Sequence, residues 1–185
     1  MTFYRAAPAD LEVRTRGDGR TVFGVAVPFD RAATVDDGTG PYRELFRKGA
    51  FTRTIRERGA KVKLLANHDR KSWPVGRAVS LTEDAAGLVG EFRVSATRQG
   101  DEALELIRDG ALDAFSVGFA PIRDRRAVDG TVERLEVRLS EVSLVAFPAY
   151  EGAQIAGVRH AFEEHRARDR DRLRQLLLLG EQHVQ

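Results

Sequence analysis

The 185-residue chain contains no cysteine. That excludes a disulfide framework, a thiolate metal site and a cysteine nucleophile, and it fits a cytosolic compartment. Nor is there an apolar run near the roughly 20 residues that span a bilayer, or a signal-peptide core at the N-terminus. The expectation is a soluble, non-secreted protein with no membrane contact. Neither sign of charge prevails, since 30 Lys and Arg face 28 Asp and Glu for a net +2. Arg far outnumbers Lys, which is read as genome composition rather than a binding surface. The charges are interspersed, and no basic stripe carries interleaved aromatics, so nucleic acid is not an expected partner. The length suits one well-buried domain rather than two.

What the chain does have is a strand with a hydroxyl in an unusual place. In Ala114-Phe115-Ser116-Val117-Gly118-Phe119, period-2 alternation puts Phe115, Val117 and Phe119 on a bulky face and Ser116 on a bare one. Small residues on a strand allow another backbone or a ligand to come close. For the strand taken alone the favoured reading is a helix packed on that face, with Ser116 as filler bonded to nearby backbone.

Two other polar residues sit in comparable settings. His68 shares parity with Val62, Leu64 and Ala66, and so closes the apolar face of a strand just before the polar turn Asp69-Arg70-Lys71-Ser72. Glu141 follows Leu135, Val137 and Leu139, so unbroken register turns it inward with them. A carboxylate on a buried face needs a partner.

The remaining elements read in order. Residues 1–20 are a polar arm, with a first strand near Leu11 to Arg14, and Thr21 to Phe29 is a strong strand broken by Pro28. Asp30 to Pro41 is a loop, and Tyr42 to Phe46 a short strand. A helix opens at Gly49-Ala50-Phe51 and stops at Gly59. Val75 to Leu81 and Leu88 to Val94 are paired strands, and Gln99 to Asp109 is an amphipathic helix closed by Gly110. Arg123 to Gly130 is a solvated hairpin tip leading into the Glu141 strand. Residues 159–185 are charged and helical, with Leu176 to Leu179 as a terminal cluster suited to assembly or tethering.

Taken in order, the segments Glu44 to Phe51, Leu64 to Asp69, Pro74 to Arg77, Asp84 to Leu88, Gly110 to Phe119 and Glu141 to Ala149 resemble the HK97-type phage prohead proteases. The resemblance runs from about Val22 to Val158. It implies a serine peptidase in residues 21–158, mainly β with flanking helices. The implied fold is similar to the herpesvirus assemblins, a partly closed antiparallel β-barrel of about seven strands. It also implies action inside an assembling procapsid in the host cytoplasm, without a cofactor. Scaffold, the N-terminal segment of the major capsid protein and the protease itself are the implied substrates. A homodimer or higher oligomer is a further expectation.

A serine hydroxyl needs a base, and His68 is the sole histidine of the strand-rich body. A third group must orient the imidazole. Assemblins use a second histidine there, whereas this chain offers Glu141, with Ser140, Ser143 and Asp69 as alternatives. By the same resemblance the loop after the Glu141 strand, with Ala149 and Tyr150, would supply backbone N–H groups as an oxyanion hole. The competing expectation is a non-catalytic scaffolding protein that keeps the protease fold.

Overall fold

The computed structural model describes residues 3–8, 12–14, 19–36, 38 and 40–147. In chain order the elements are β1 (Phe3–Pro8), β2 (Glu12–Arg14), β3 (Thr21–Pro28), β4 (Ala33–Asp36), β5 (Pro41–Phe46) and α1 (Thr52–Arg58). They continue with β6 (Lys63–Ala66), β7 (Gly76–Glu83), β8 (Gly87–Val94), α2 (Arg98–Asp109), β9 (Ala114–Arg126) and β10 (Val132–Val145). A single 3-10 turn, Gly59–Lys61, follows α1.

All ten strands belong to one sheet, in the order β1-β9-β10-β6-β7-β8-β3-β2, with β5 joined to β10 and β4 to β5. The expected seven-stranded, partly closed antiparallel barrel is corrected on three counts. Among the described residues there are ten strands, the hydrogen-bonded path ends at β1 and β2 without closing, and the sheet is mixed. The physical reason lies in β10. Its 14 residues give it room for two parallel neighbours, β5 along Val132–Arg134 and β6 along Glu141–Leu144. Parallel pairs need long crossovers, and the chain between β6 and β10 supplies one through β7, β8, α2 and β9. The segment expected as a loop after Asp30 holds β4, which pairs with β5. Of the segment expected as an arm, β2 is the anticipated strand, and β1 is a further one paired to β9.

The alternation read in β9 holds. Phe115, Val117 and Phe119 are fully buried. Phe115 lies against Phe92 with ring centroids 5.1 Å apart, and Phe119 meets the Phe46 ring edge-on at 5.1 Å. Such pairs add to simple burial because the positive ring edge meets a negative face.

Helix α2 sets where β9 begins. Its apolar stripe, Ala103, Leu104 and Ile107, is buried in the core, each large side chain contributing about 2 kcal/mol by burial. The Thr97 hydroxyl accepts the Gly100 N–H at 3.1 Å and caps the helix start. Gly110, at φ 84°, takes the left-handed conformation that ends it and costs a side-chain-bearing residue more. A Cβ at Gly100 would stand 2.1 Å from the Ser95 carbonyl oxygen, so only glycine lets the helix start this close to β8.

Candidate active site

Ser116 stands on the face of β9 opposite the phenylalanines, and it is buried. It is flanked in register by Ala6 of β1 and Ser143 of β10. The bare face is therefore a bed between two strands.

His68 reaches that bed from two strands away. β6 runs parallel to β10, with Leu64 opposite Val142 and Ala66 opposite Leu144. Sequence parity made His68 the last inward residue of this strand; the strand in fact ends at Ala66. Asn67 and His68 both take left-handed backbone, at φ 49° and 58°. That conformation costs roughly 1–2 kcal/mol for a residue with a Cβ, and asparagine tolerates it best. Hydrogen bonds hold the turn: Asn67 N–H donates to Leu144 O at 3.0 Å and Asp69 N–H to Ala66 O at 2.9 Å. The His68 N–H donates to Ser143 Oγ at 3.1 Å. The turn brings the ring to Ser116, with Nε2 2.5 Å from Ser116 Oγ.

Glu141 is buried near Ser116 for a reason that parity reasoning missed. Leu139 pairs with Phe119, but Glu141 pairs with Gly118, because Ser140 is an extra residue in a β-bulge. Unbroken register would have kept Glu141 on the Leu139 face, with the core. The bulge moves it to the face of Gly118 and Ser116. There Glu141 Oε1 lies 2.7 Å from His68 Nδ1, and Oε2 accepts the Ser143 hydroxyl at 2.7 Å.

These contacts fix the tautomer. An ionised carboxylate can only accept, so Nδ1 carries the proton and the Nε2 lone pair faces the Ser116 hydroxyl. Ser116, His68 and Glu141 form one hydrogen-bonded row across β9, β10 and the β6 turn. Such a row can move the serine proton to the imidazole while the carboxylate steadies the resulting charge.

The alternatives for the third position are placed otherwise. Asp69 turns to its own loop, accepting from Lys71 N–H at 2.8 Å and from Ser72 Oγ at 2.5 Å. The Ser72 hydroxyl, and then the Lys71 N–H, hold its carboxyl below the usual range. Ser140 is the half-buried bulge residue, and Ser143 bonds Glu141 rather than the imidazole ring. Ala149 and Tyr150, expected to form the oxyanion hole, lie outside the described residues, as does the charged tail. Trp73, on the loop after His68, is 89% exposed.

Among the described residues no three or more His, Asp or Glu side chains are grouped to hold a metal ion, and no helix is long and apolar enough to cross a membrane. A cleft of about 460 Å³ lined by Tyr42, Asp124, Arg126 and Arg134 shares no residue with the Ser116 site. Sequence reading missed what stands beside it, a buried ion pair. Arg134 donates to Glu44 Oε2 at 2.7 and 2.9 Å and to Asp124 at 2.6 Å.

With this geometry in view, residues 9–168 match the family model described as Caudovirus prohead serine protease. The chain belongs to that family. It is 29% identical over 153 residues to the prohead protease of Enterobacteria phage HK97, an overlap of 81% of this chain and 66% of that protein. The chain thus spans slightly less than two thirds of that relative's length. The prohead-protease fold is also seen in the bacteriophage T4 capsid assembly protease, with a TM-score of 0.56 at 13% identity. That likeness covers 78% of this chain and 97% of the other. At such identity it speaks to the fold alone. In this chain an open, mixed sheet carries the Ser116 row.

Proposed function

We propose that this chain is a serine endopeptidase of phage capsid maturation, acting through Ser116, His68 and Glu141. One observation carries the proposal: the 2.5 Å contact between Ser116 Oγ and a His68 ring whose other nitrogen is held by a buried carboxylate. Membership in the prohead serine protease family supports it independently.

In the proposed reaction Ser116 Oγ attacks the scissile carbonyl carbon as its proton passes to His68 Nε2. Glu141 stays ionised and stabilises the imidazolium. The C–N bond then breaks as Nε2 returns the proton to the departing amine, leaving an acyl ester on Ser116. Water, deprotonated by His68, attacks the ester and releases the acid. The negative oxygen formed in both steps needs oriented N–H donors, each worth roughly 2.7–4 kcal/mol in a known protease. Backbone N–H groups of residues 149 and 150 are the proposed donors.

The proposed substrates are scaffold protein, the N-terminal segment of the major capsid protein and the protease's own tail beyond about residue 158. The proposed place is the interior of the assembling procapsid in the host cell. Confinement there raises effective concentration, so modest affinity for each cleavage site suffices. The test is co-expression of this chain, or its Ser116→Ala variant, with the cognate capsid protein. Shortened capsid protein with the first and full-length protein with the second is the expected result. Equal processing by both variants defeats the proposal and leaves a capsid-associated domain without turnover.

A further inference from the structure

Among the described residues, Ser143 is the one fully buried hydroxyl side chain that bridges two members of the row without belonging to it. Its oxygen accepts the His68 backbone N–H at 3.1 Å, and its single proton goes to Glu141 Oε2 at 2.7 Å. Glu141 Oε1 in turn holds His68 Nδ1 at 2.7 Å. The links close a ring: His68 main chain, Ser143, Glu141, His68 side chain. His68 is thereby gripped at both its backbone and its imidazole by one connected unit on β10.

We infer that Ser143 is a positioning residue of this peptidase, required both to hold the left-handed turn at His68 and to fix the rotamer of Glu141. The inference rests on the proposed peptidase reading and adds a fourth member to it. Two physical demands single out the residue. The His68 turn is intrinsically unfavourable at φ 58°, so it persists only if its N–H is satisfied in that conformation. A carboxylate with one oxygen free rotates about its last torsion, which is broad, and a donor on Oε2 stops that rotation. Only a side chain that accepts and donates at once, from this register position opposite Ser116, meets both demands. Serine and threonine qualify, alanine does not, and cysteine does so weakly.

The experiment measures the rate at which a fluorophosphonate labels Ser116 in wild type, Ser143→Ala, Ser143→Thr, Glu141→Gln and the Ser143→Ala/Glu141→Gln double variant. Melting temperature is followed in parallel. Loss of a hydrogen bond to a charged group corresponds to about a 10- to 100-fold slower reaction. That loss is expected for Ser143→Ala, with Ser143→Thr recovering most of the rate although the larger side chain packs less well. In the Glu141→Gln background the alanine change is expected to cost less than in wild type, since the share exerted through the acid is already lost and only the turn-holding share at the His68 N–H remains. Wild-type rates in Ser143→Ala, or threonine no better than alanine, overturn the inference while leaving the peptidase reading intact. Absence of labelling in wild type counts against the peptidase reading instead. Amide hydrogen exchange at His68 then decides separately. Protection kept by serine and threonine but lost by alanine supports the turn-holding role, and equal protection in all three refutes it.

Discussion

Glu141 stands opposite Gly118, one ladder position away from where unbroken pairing beyond Leu139 and Phe119 would have put it. Because Ser140 is taken up as an extra, unpaired residue, the acid falls on the face of Gly118 and Ser116, where its carboxylate reaches His68. Deleting Ser140 restores regular pairing and still leaves Glu141 opposite Gly118, because two residues now face one and one would remain. The deletion variant is expected to fold and to keep fluorophosphonate labelling within about ten-fold of wild type. Labelling reduced to the level of Glu141→Gln would show that the bulge positions the acid by something other than register.

The turn at Asn67 and His68 makes a second prediction. Left-handed backbone at φ 49° suits Asn67 and penalises β-branched residues. Asn67→Val is expected to lower stability by about 1–2 kcal/mol and to slow Ser116 labelling, whereas Asn67→Gly is expected to retain both. Urea unfolding midpoints and labelling rates check this together. Equal behaviour of valine and glycine contradicts the strained-turn explanation.

Legibility in the sequence differed among the three residues. Ser116 was readable because β9 keeps strict period 2 through the site, so face and burial followed directly from Phe115, Val117 and Phe119. His68 was readable as an inward polar residue, but not as a turn residue; the neighbouring Asn67 was the available signal, since asparagine is the side chain that best accepts left-handed backbone. Glu141 was expected near the site on a register argument that the structure reverses, because a bulge leaves no mark in an apolar pattern. The parallel neighbours of β10 were hidden for a related reason. Pairing partners separated by most of the chain are set by tertiary packing, and local alternation is the same in either direction. Ser143 had no periodic signal, since both faces of β10 are buried from Glu141 to Val145.

The Arg134 pair predicts where stability is vulnerable. Glu44 and Arg134 are both buried, and Arg134 also donates to the Tyr42 hydroxyl at 3.0 Å and to Asp124. Removing one partner leaves the other charge uncompensated, at a cost of about 3–5 kcal/mol. Arg134→Leu is therefore expected to lower the denaturant midpoint sharply, and Arg134→Leu/Glu44→Leu to recover much of the loss. Equal destabilisation by the single and double variants contradicts this.

The pH dependence of stability follows from Glu133. Its carboxylate accepts from Arg47 Nη2 and Arg125 Nε, both at 2.6 Å. Chiefly the Arg47 bond, and then that of Arg125, hold its pKa below the usual range. A carboxyl with a lowered folded-state pKa contributes stability that is fully present above its unfolded value of about 4.3 and is lost as pH falls through the folded value. Wild type is thus expected to lose more stability than Glu133→Gln between pH 6 and pH 3. Thermal unfolding across that range is the check, and parallel curves would count against the ion pair as a source of acid sensitivity.

The most direct test of the central claim maps fluorophosphonate to a residue by mass spectrometry in wild type, His68→Ala and Ser116→Ala. General-base assistance is worth about 10²- to 10⁴-fold, so the label is expected on Ser116, slowed by that factor without the imidazole and absent without the hydroxyl. Label on another residue, or a Ser116 rate indifferent to His68, contradicts a peptidase built on that pair.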